Sequence, residues 1–139
     1  MTEQHRARDL PVIDRRKRKF SLKARFRSLQ YASRGLYLVI TSQHNAWIHL
    51  VAIIGVVTAG IMFDFTQAEW CWVVIAIIFV WTAEALNSAL EFIADMVSPE
   101  YHPMIRNAKD AAAGAVLITA IGSVIIGILV IGPHVIDLL

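Results

Sequence analysis

The sequence predicts an all-α membrane protein in which an N-terminal amphipathic surface helix precedes three transmembrane helices. Three observations lead to this fold class. The chain of 139 residues is 57% hydrophobic, which is too apolar for an ordinary soluble domain. It contains three long apolar stretches, and eleven of its 13 Lys and Arg residues lie before position 35. A basic end followed by apolar stretches is typical of a small protein anchored in a membrane that contains anionic lipids.

The first 20 residues are polar and include Pro11 and the basic run from Arg15 to Lys19. We interpret residues 1–20 as a solvated, mostly disordered tail that is attracted to lipid headgroups. Residues 21–139 would then form the membrane domain. A basic run can also bind nucleic acid, but that role needs a soluble body, which this composition does not offer, so no nucleic-acid partner is expected.

Residues from about 21 to 41 repeat apolar side chains every three or four positions and carry Lys23, Arg27 and Arg34 on the opposite face. This periodicity predicts an amphipathic helix. The helix carries too many charges to span a bilayer, so we expect it to lie in the plane of the membrane interface.

Three spans are predicted at about residues 46–63, 70–97 and 111–131. The shortest has about 18 residues, which is just long enough to cross a hydrocarbon core of roughly 30 Å. The second span ends before Pro99, because proline cannot continue the helical hydrogen bonding. His49 is the titratable residue of the first span, and we interpret it as a hydrogen-bonded interface residue rather than a ligand.

Two later bases, Arg106 and Lys109, lie in the polar loop predicted at residues 98–110. By the positive-inside rule, this loop and the N-terminus face the cytoplasm, and the C-terminus lies outside. We therefore expect a multi-pass protein of the cell (inner) membrane whose functional residues open to the cytoplasm.

The second span carries a stripe of polar side chains at membrane depth. Glu84, Asn87, Ser88, Glu91 and Asp95 recur at helical spacing and fall on one side of the helix. Acidic residues at this depth are costly and are usually functional. Because three helices can scarcely shield such acids from lipid, the stripe also favours an oligomer.

This stripe suits the transfer of a phosphoryl group to a lipid alcohol. Glu84, the deeper acid, could take the proton of the acceptor hydroxyl as general base. Glu91 could hold Mg²⁺ against nucleotide phosphates, and Lys109 could neutralise the transferring group. The sequence has no G-x-x-x-x-G-K-[ST] motif, so an ATP site would be built differently.

A protein of another class also places acids at membrane depth. A non-catalytic membrane protein, or a small proton-coupled transporter that uses Glu84 as a relay, would show the same stripe. Neither of them needs Lys109 or the E-Y-H sequence that begins at Glu100.

Three neighbouring motifs occur in and after the second span, namely E-A-L-N-S-A-L-E-F-I-A-D, S-P-E-Y-H-P and A-K-D-A-A-A-G-A-V. In order, spacing and loop length they resemble the prokaryotic diacylglycerol kinase and undecaprenol kinase family of small membrane-embedded lipid kinases. The resemblance extends over about residues 24–131. It implies a homotrimer with active sites at subunit interfaces near the cytoplasmic face, ATP as phosphate donor and Mg²⁺ as cofactor.

The resemblance also implies roles for individual residues. Glu84 would be the general base and Glu91 a metal ligand. The residues expected to bind the lipid substrate or shape its site are Arg25, Asn87 and Asp95. The expected nucleotide contacts are Tyr31, Glu100, Tyr101, His102, Lys109 and Asp110.

The chain departs from the family pattern at the start of the first span. The family usually has a second metal-binding Glu where this chain has Gln43, and an Arg where it has Trp47. An amide oxygen can coordinate Mg²⁺ but brings no charge. We therefore keep Gln43 in the expected metal site and expect weaker metal binding or a lower rate.

The expected acceptor is undecaprenol, which would give undecaprenyl phosphate. The S-P-E-Y-H-P loop, the A-A-A-G-A-V start of the third span and the ending I-G-I-L-V-I-G-P are more similar to the undecaprenol kinase branch. The alternative acceptor is diacylglycerol, which would give phosphatidic acid. Both are apolar molecules with one hydroxyl at the membrane interface.

Overall fold

The structure is a computed structural model that describes residues 21–138. Along these residues four α-helices follow one another, namely α1 (Leu22–Ser42), α2 (His44–Met62), α3 (Gln67–Val97) and α4 (Pro103–Ile136). The all-α fold class predicted from the sequence is confirmed. The predicted basic tail, residues 1–20, lies outside the described residues.

The chain divides within α1 into two units, one that ends at Ala32 and one that comprises Ser33–Leu139. In the first unit, described from residue 21, the apolar side chains of Leu22, Phe26 and Leu29 are exposed. The second unit contains the rest of α1 together with α2, α3 and α4. The location of α1 in the membrane interface stays a prediction.

Three helical segments are long and apolar enough to cross a membrane, namely Asn45–Met62, Gln67–Val97 and Pro103–Ile136. Large apolar side chains along them, such as Phe79 and Leu129, are more than half exposed in the single chain. A soluble monomer rarely exposes apolar surface on this scale. The protein is therefore a membrane protein, as its composition predicted.

One face of α3 is buried over most of the length of the helix. Its buried residues recur at helical spacing, and they are Val73, Ala76, Val80, Glu84, Asn87, Ser88 and Ala94. The same face thus carries first the apolar core and then the polar stripe. This face is covered because α3 packs extensively against α4 and, over a smaller area, against α2.

The sequence analysis expected that neighbouring subunits would be needed to shield the acids of the stripe from lipid. For Glu84, the helices of a single chain already provide this shielding. Glu84 is only 1% exposed within the single chain, because α2 brings His49 against it. Farther along α3, Glu91 is partly buried and Asp95 is exposed. The homotrimer implied by the family resemblance stays a prediction.

The start and end of α3 follow local sequence signals. Thr66 is the N-cap and forms a capping box with Glu69: the Thr66 backbone N–H donates to Glu69 Oε2 at 2.7 Å, and the Thr66 hydroxyl accepts from the Glu69 backbone N–H. Such a box satisfies two backbone donors at the helix start. The helix ends at Val97, one residue before Ser98 and two before Pro99, as the proline predicted.

Helix α4 begins earlier than the sequence analysis expected. The prediction of a polar loop at residues 98–110 was wrong beyond His102, because α4 starts at Pro103. His102 is the N-cap and its Nδ1 accepts a hydrogen bond from the Met104 backbone N–H at 3.2 Å. Proline is favoured at the first helical position, where its missing N–H is not needed. Lys109 and Asp110 are consequently carried on a helix rather than on a loop.

A compact cluster closes the end of the bundle opposite the acidic stripe. Phe65, Val73 and Val130 form its buried core. The His134 ring stacks against Phe65, with 5.3 Å between ring centroids, and His134 Nε2 lies 2.8 Å from Glu69 Oε1. The cluster thus joins the start of α3 to the end of α4.

Gly60 in α2 allows this cluster to pack closely. A Cβ atom at this position would lie 2.7 Å from Trp70 Cη2 and 2.9 Å from Phe65 Cδ2, both shorter than real Cβ contacts. Only a residue without a side chain fits here while Trp70 and Phe65 keep their positions.

We expect Gly60→Ala to destabilise the protein by about 1–3 kcal/mol, because it overpacks the cluster. The measurement is thermal unfolding in detergent micelles, followed by tryptophan fluorescence. Gly55→Ala is the matched control, since nothing lies within 4 Å of a Cβ at that position. The control should melt at the same temperature or higher, because alanine favours helix. Equal melting temperatures for the two variants would contradict the packing argument.

Candidate active site

The deepest acid of the stripe, Glu84, is paired with a histidine from another helix. His49 Nε2 on α2 lies 3.1 Å from Glu84 Oε1, and the two side chains are 16% and 2% exposed. The contact is at ion-pair distance but lacks the geometry of a hydrogen bond, so Oε1 has no hydrogen-bond partner. A buried carboxylate oxygen without a donor is costly and is found mainly at functional sites.

The local structure of α3 fixes the backbone at Glu84. The Ser88 hydroxyl donates to the Glu84 backbone carbonyl at 2.9 Å, one helical turn away. Because this bond occupies the Ser88 hydroxyl hydrogen, Ser88 does not supply the missing donor for the Glu84 carboxylate.

The second acid, Glu91, is held by two amide side chains. Gln43 Nε2 donates to Glu91 Oε2 at 2.7 Å, and Asn87 Nδ2 donates to Glu91 Oε1 at 3.0 Å. Gln43 is the N-cap residue of α2, whereas Asn87 lies one turn before Glu91 on α3. The other amide atom of Asn87, Oδ1, is buried and has no hydrogen-bond partner.

A cavity of about 250 Å³ adjoins these polar groups, and Gln43, His49, Asn87 and Glu91 line it together with aliphatic residues of α4. A second cavity, of about 260 Å³, begins at His49 and continues between α2, α3 and α4 past Val80, Val56 and Ile131. The second cavity is lined almost wholly by apolar side chains. His49 lines both cavities.

The third acid, Asp95, pairs with Lys109 of α4, whose Nζ contacts Asp95 Oδ1. The Asp95 side chain is 67% exposed and that of Lys109 is 35% exposed. An ion pair this exposed contributes little to stability. Lys109 can therefore exchange Asp95 for another anion at small cost. Asp110, the neighbouring acid, pairs with Arg106 one turn earlier, with 3.6 Å between Arg106 Nε and Asp110 Oδ2.

The remaining residues predicted for nucleotide binding lie on the surface of the chain. Glu100, Tyr101 and His102 are exposed in the short connection between α3 and α4. The Ser98 hydroxyl donates to the Glu100 backbone carbonyl at 2.9 Å and shapes this turn. Tyr31 is exposed on α1, in the unit that ends at Ala32, and so is Arg25, which was predicted for the lipid site.

Within residues 21–138, no three His, Cys, Asp or Glu side chains converge as a metal-binding group. A cation at this site would instead use the carboxylate of Glu91 with the amide oxygens of Gln43 and Asn87. Carboxylate and amide oxygens are hard ligands of the kind that Mg²⁺ accepts, so these residues fit the ion, although they bring a single negative charge.

His49 is the site residue that the sequence analysis assigned differently. It was interpreted as a hydrogen-bonded interface residue, whereas the structure pairs it with Glu84. The sequence signal for this contact was weak. The contact joins two helices, and the periodicity of a helix does not predict how it packs against another helix. A titratable residue one turn inside an apolar span was the indication that could have found it.

Residues 30–131 match the family described as "Prokaryotic diacylglycerol kinase". The chain is 34% identical to the undecaprenol kinase of Bacillus subtilis over 108 residues, which cover 78% of this chain and 88% of that protein. It is 34% identical to the diacylglycerol kinase of Synechocystis sp. over 113 residues, which cover 81% of this chain and 65% of that protein.

A third relative, the diacylglycerol kinase of Escherichia coli, is 37% identical over 59 residues, which cover 42% of this chain and 48% of that protein. The family match spans α2 and α3 and most of α4, and therefore includes Glu84, Glu91 and Lys109. These proteins are lipid kinases, and the chain belongs to the prokaryotic diacylglycerol kinase family.

Proposed function

We propose that the protein is a lipid kinase that transfers the γ-phosphoryl group of ATP to the hydroxyl of a membrane lipid alcohol, with undecaprenol as the favoured acceptor. The observation that carries this proposal is the buried carboxylate of Glu84, whose Oε1 lacks a hydrogen-bond donor. An acceptor hydroxyl would supply that donor. Family membership favours this activity over the transporter and the non-catalytic protein considered from the sequence.

The reaction assigns a distinct task to Glu84. The hydroxyl oxygen of the lipid forms a bond to the γ-phosphorus while the bond from that phosphorus to the bridging oxygen breaks, and ADP leaves. The hydroxyl proton passes to the Glu84 carboxylate, which acts as general base.

Glu91, Gln43 and Asn87 are proposed to hold Mg²⁺. Both Glu91 oxygens already face amide side chains, and rotation of either amide would present an oxygen in place of its N–H. The Asn87 oxygen, Oδ1, is buried and accepts no hydrogen bond, so it would have no donor to displace. Bound Mg²⁺ would neutralise phosphate charge and orient the nucleotide.

Lys109 is proposed to bind the phosphates of ATP, since its exposed pairing with Asp95 is easily exchanged. Glu100, Tyr101, His102, Asp110 and Tyr31 are proposed as further nucleotide contacts on the strength of the family motifs. Arg25 and Asp95 are proposed to shape the lipid-binding part of the site, for which the sequence also predicted Asn87, here proposed for the metal site. The assembly is proposed to be a homotrimer in the cell membrane, with the active site cytoplasmic and the C-terminus outside.

Undecaprenol is favoured over diacylglycerol by the extent of the similarity. The match covers 88% of the B. subtilis undecaprenol kinase but 65% and 48% of the two diacylglycerol kinases. The apolar cavity that begins at His49 could take the first part of a single prenyl chain. Diacylglycerol is the alternative acceptor, and it would use the same base and the same phosphate donor.

We expect the purified protein to transfer label from radiolabelled ATP to undecaprenol in mixed micelles that contain Mg²⁺, and more slowly to diacylglycerol. Glu84→Gln should lower the rate by about 10²- to 10⁴-fold, the usual contribution of a general base. Glu69→Gln is the matched control, because it makes the same change at the opposite end of α3 and should retain activity. Label in neither lipid, from folded wild-type protein, would overturn the proposed function. Faster labelling of diacylglycerol would overturn the choice of acceptor.

We expect Gln43→Glu to lower the Mg²⁺ concentration needed for half-maximal activity, because a second carboxylate adds charge to the proposed metal site. The measurement is initial rate against Mg²⁺ concentration at saturating ATP. Gln67→Glu, the same change at the exposed start of α3, is the control and should show the wild-type dependence. Unchanged metal dependence in Gln43→Glu would remove Gln43 from the metal site.

Thermal unfolding gives the same substitution a readout independent of activity. In EDTA, Gln43→Glu should melt below wild type, because it replaces a donor 2.7 Å from Glu91 with a second carboxylate. Mg²⁺ should raise its melting temperature more than that of wild type or Gln67→Glu. Equal Mg²⁺ effects on all three proteins would contradict a metal site at Glu91.

A further inference from the structure

The cavity between α2, α3 and α4 that begins at His49 has the lining of a site for an apolar molecule. Its volume is about 260 Å³, and its walls are almost wholly aliphatic and aromatic side chains. Ser123 also lines it, but the Ser123 hydroxyl already donates to the Ala120 backbone carbonyl at 2.8 Å. An apolar cavity of this size stays dry and takes up apolar molecules. The cavity therefore suits a hydrocarbon ligand rather than water.

The volume of the cavity suits a short stretch of one hydrocarbon chain. At roughly 30 Å³ for each water-sized group, the cavity would hold about nine such groups, and methyl and methylene groups are of similar size. About one or two five-carbon prenyl units fill that volume, whereas two long chains side by side do not fit.

The cavity runs away from the exposed end of the acidic stripe. Its α3 wall extends from Val73 to Trp81, over about 12 Å of helix axis, and every residue of that wall precedes Glu84. Glu84 is not part of the lining, but His49 is, and His49 Nε2 lies 3.1 Å from Glu84 Oε1. An occupant would therefore have one end beside the partner of the proposed base and would extend from there towards the opposite end of the bundle.

The charges near His49 indicate what kind of head group an occupant can carry. His49 lines the polar cavity as well, together with Gln43, Asn87 and Glu91. Among the described residues, neither cavity has a Lys or Arg side chain in its lining, and the acid there is Glu91. The anionic phosphate of a phospholipid would lack a cationic partner at this place, whereas an uncharged hydroxyl needs none. The lining thus favours a lipid alcohol over the phospholipids of the surrounding membrane.

Gly127 of α4 forms part of the wall of the apolar cavity. A Cβ atom at this position would meet nothing within 4 Å, so helix packing does not require glycine here, in contrast to Gly60. Glycine within a helix is also less favourable than alanine. The absence of a side chain leaves volume in the cavity that a larger residue would fill. Gly127 therefore determines how much of the cavity is open.

Resting on the proposed function, we propose that this cavity receives the prenyl units next to the hydroxyl of the acceptor, and that Gly127 is a specificity-determining residue that keeps it open. The first units of a single prenyl chain fill the cavity. The two acyl chains of diacylglycerol branch from adjacent carbons, so that at most one of them enters and the other stays in the bilayer. The cavity thus selects a lipid alcohol with one chain over a lipid alcohol with two.

The first test needs neither ATP nor activity. Protein in liposomes is illuminated with undecaprenol that carries a diazirine on the prenyl unit next to the hydroxyl, and the cross-linked residues are identified by mass spectrometry. We expect adducts on lining residues such as Ile53, Val56 and Val124. Gly127→Leu should lower the yield of these adducts by about tenfold, the scale on which an apolar pocket discriminates by one methylene.

Two further variants make this result specific. Gly55→Leu is the matched control, because Gly55 is exposed on α2 and lines neither cavity, and it should keep the wild-type adducts. Gly127→Ala adds one carbon and favours helix, so it should fold and give an intermediate yield.

A phospholipid with the diazirine on an acyl chain distinguishes the source of the occupant. Adducts on the lining residues from this phospholipid, with none from the undecaprenol probe, would identify a site for bulk lipid and overturn the proposal. Undecaprenol adducts confined to exposed residues such as Phe79 and Leu129 would overturn it too, as would a yield that Gly127→Leu leaves unchanged.

The second test is the kinetics of phosphate transfer. Gly127→Leu should lower kcat/KM for undecaprenol by about 10- to 100-fold and lower it less for diacylglycerol, while the KM for ATP stays at the wild-type value. Gly55→Leu should keep the wild-type preference between the two acceptors. An equal loss for both acceptors in Gly127→Leu would indicate a general structural defect and overturn the proposal.

These outcomes separate the inference from the proposed function. If wild-type protein labels no lipid, the proposed function fails, whereas cross-linking still decides whether the cavity holds a prenyl chain. If wild-type protein labels undecaprenol and the adducts lie outside the cavity, the role of Gly127 is overturned and the kinase assignment stands.

Discussion

The structure depends on one constraint, which is that a carboxylate buried at membrane depth must be compensated within the protein. Glu84 occupies the face of α3 that also forms the apolar core, so the helix cannot turn the acid away without exposing Val73 and Val80. The cost of that burial is large for an isolated charge. The position of α2 brings His49 to 3.1 Å from Glu84, and α4 packs along the same helix.

Burial decreases in steps along the acidic stripe. Glu84 is buried, Glu91 is partly buried and Asp95 is exposed, over about 16 Å of helix axis. Each acid has a different kind of partner. The buried Glu84 lies beside a histidine, the partly buried Glu91 accepts from two amides, and the exposed Asp95 pairs with a lysine. If Glu84, Glu91 and Lys109 have the roles proposed for them, this gradient would order the base, the cation and the phosphates from the membrane interior towards water.

Much of this arrangement could be predicted from the sequence, and the failures have physical causes. Helical periodicity placed Glu84, Asn87 and Ser88 on one face because that information is local. The early start of α4 was not predicted, because the residues around it are polar and typical of a loop, although a proline such as Pro103 is favoured at the first helical position. The partner of Glu84 could not be predicted, since His49 is 35 positions away and their contact depends on how two helices pack. Family resemblance, rather than periodicity, brought Gln43 and Glu91 to one site.

The way α2 is attached to the bundle links ligand binding to helix position. At one end, the aromatic rings of Phe63 and His134 stack with 5.6 Å between their centroids. At the other end, among residues 21–138, the polar side-chain contacts that join α2 or its N-cap to α3 are His49 to Glu84 and Gln43 to Glu91. Both contacts use acids proposed to receive ligands. Mg²⁺ held by Gln43 and Glu91, as proposed, would keep the N-cap of α2 joined to α3, so metal binding and the position of α2 would be linked reciprocally.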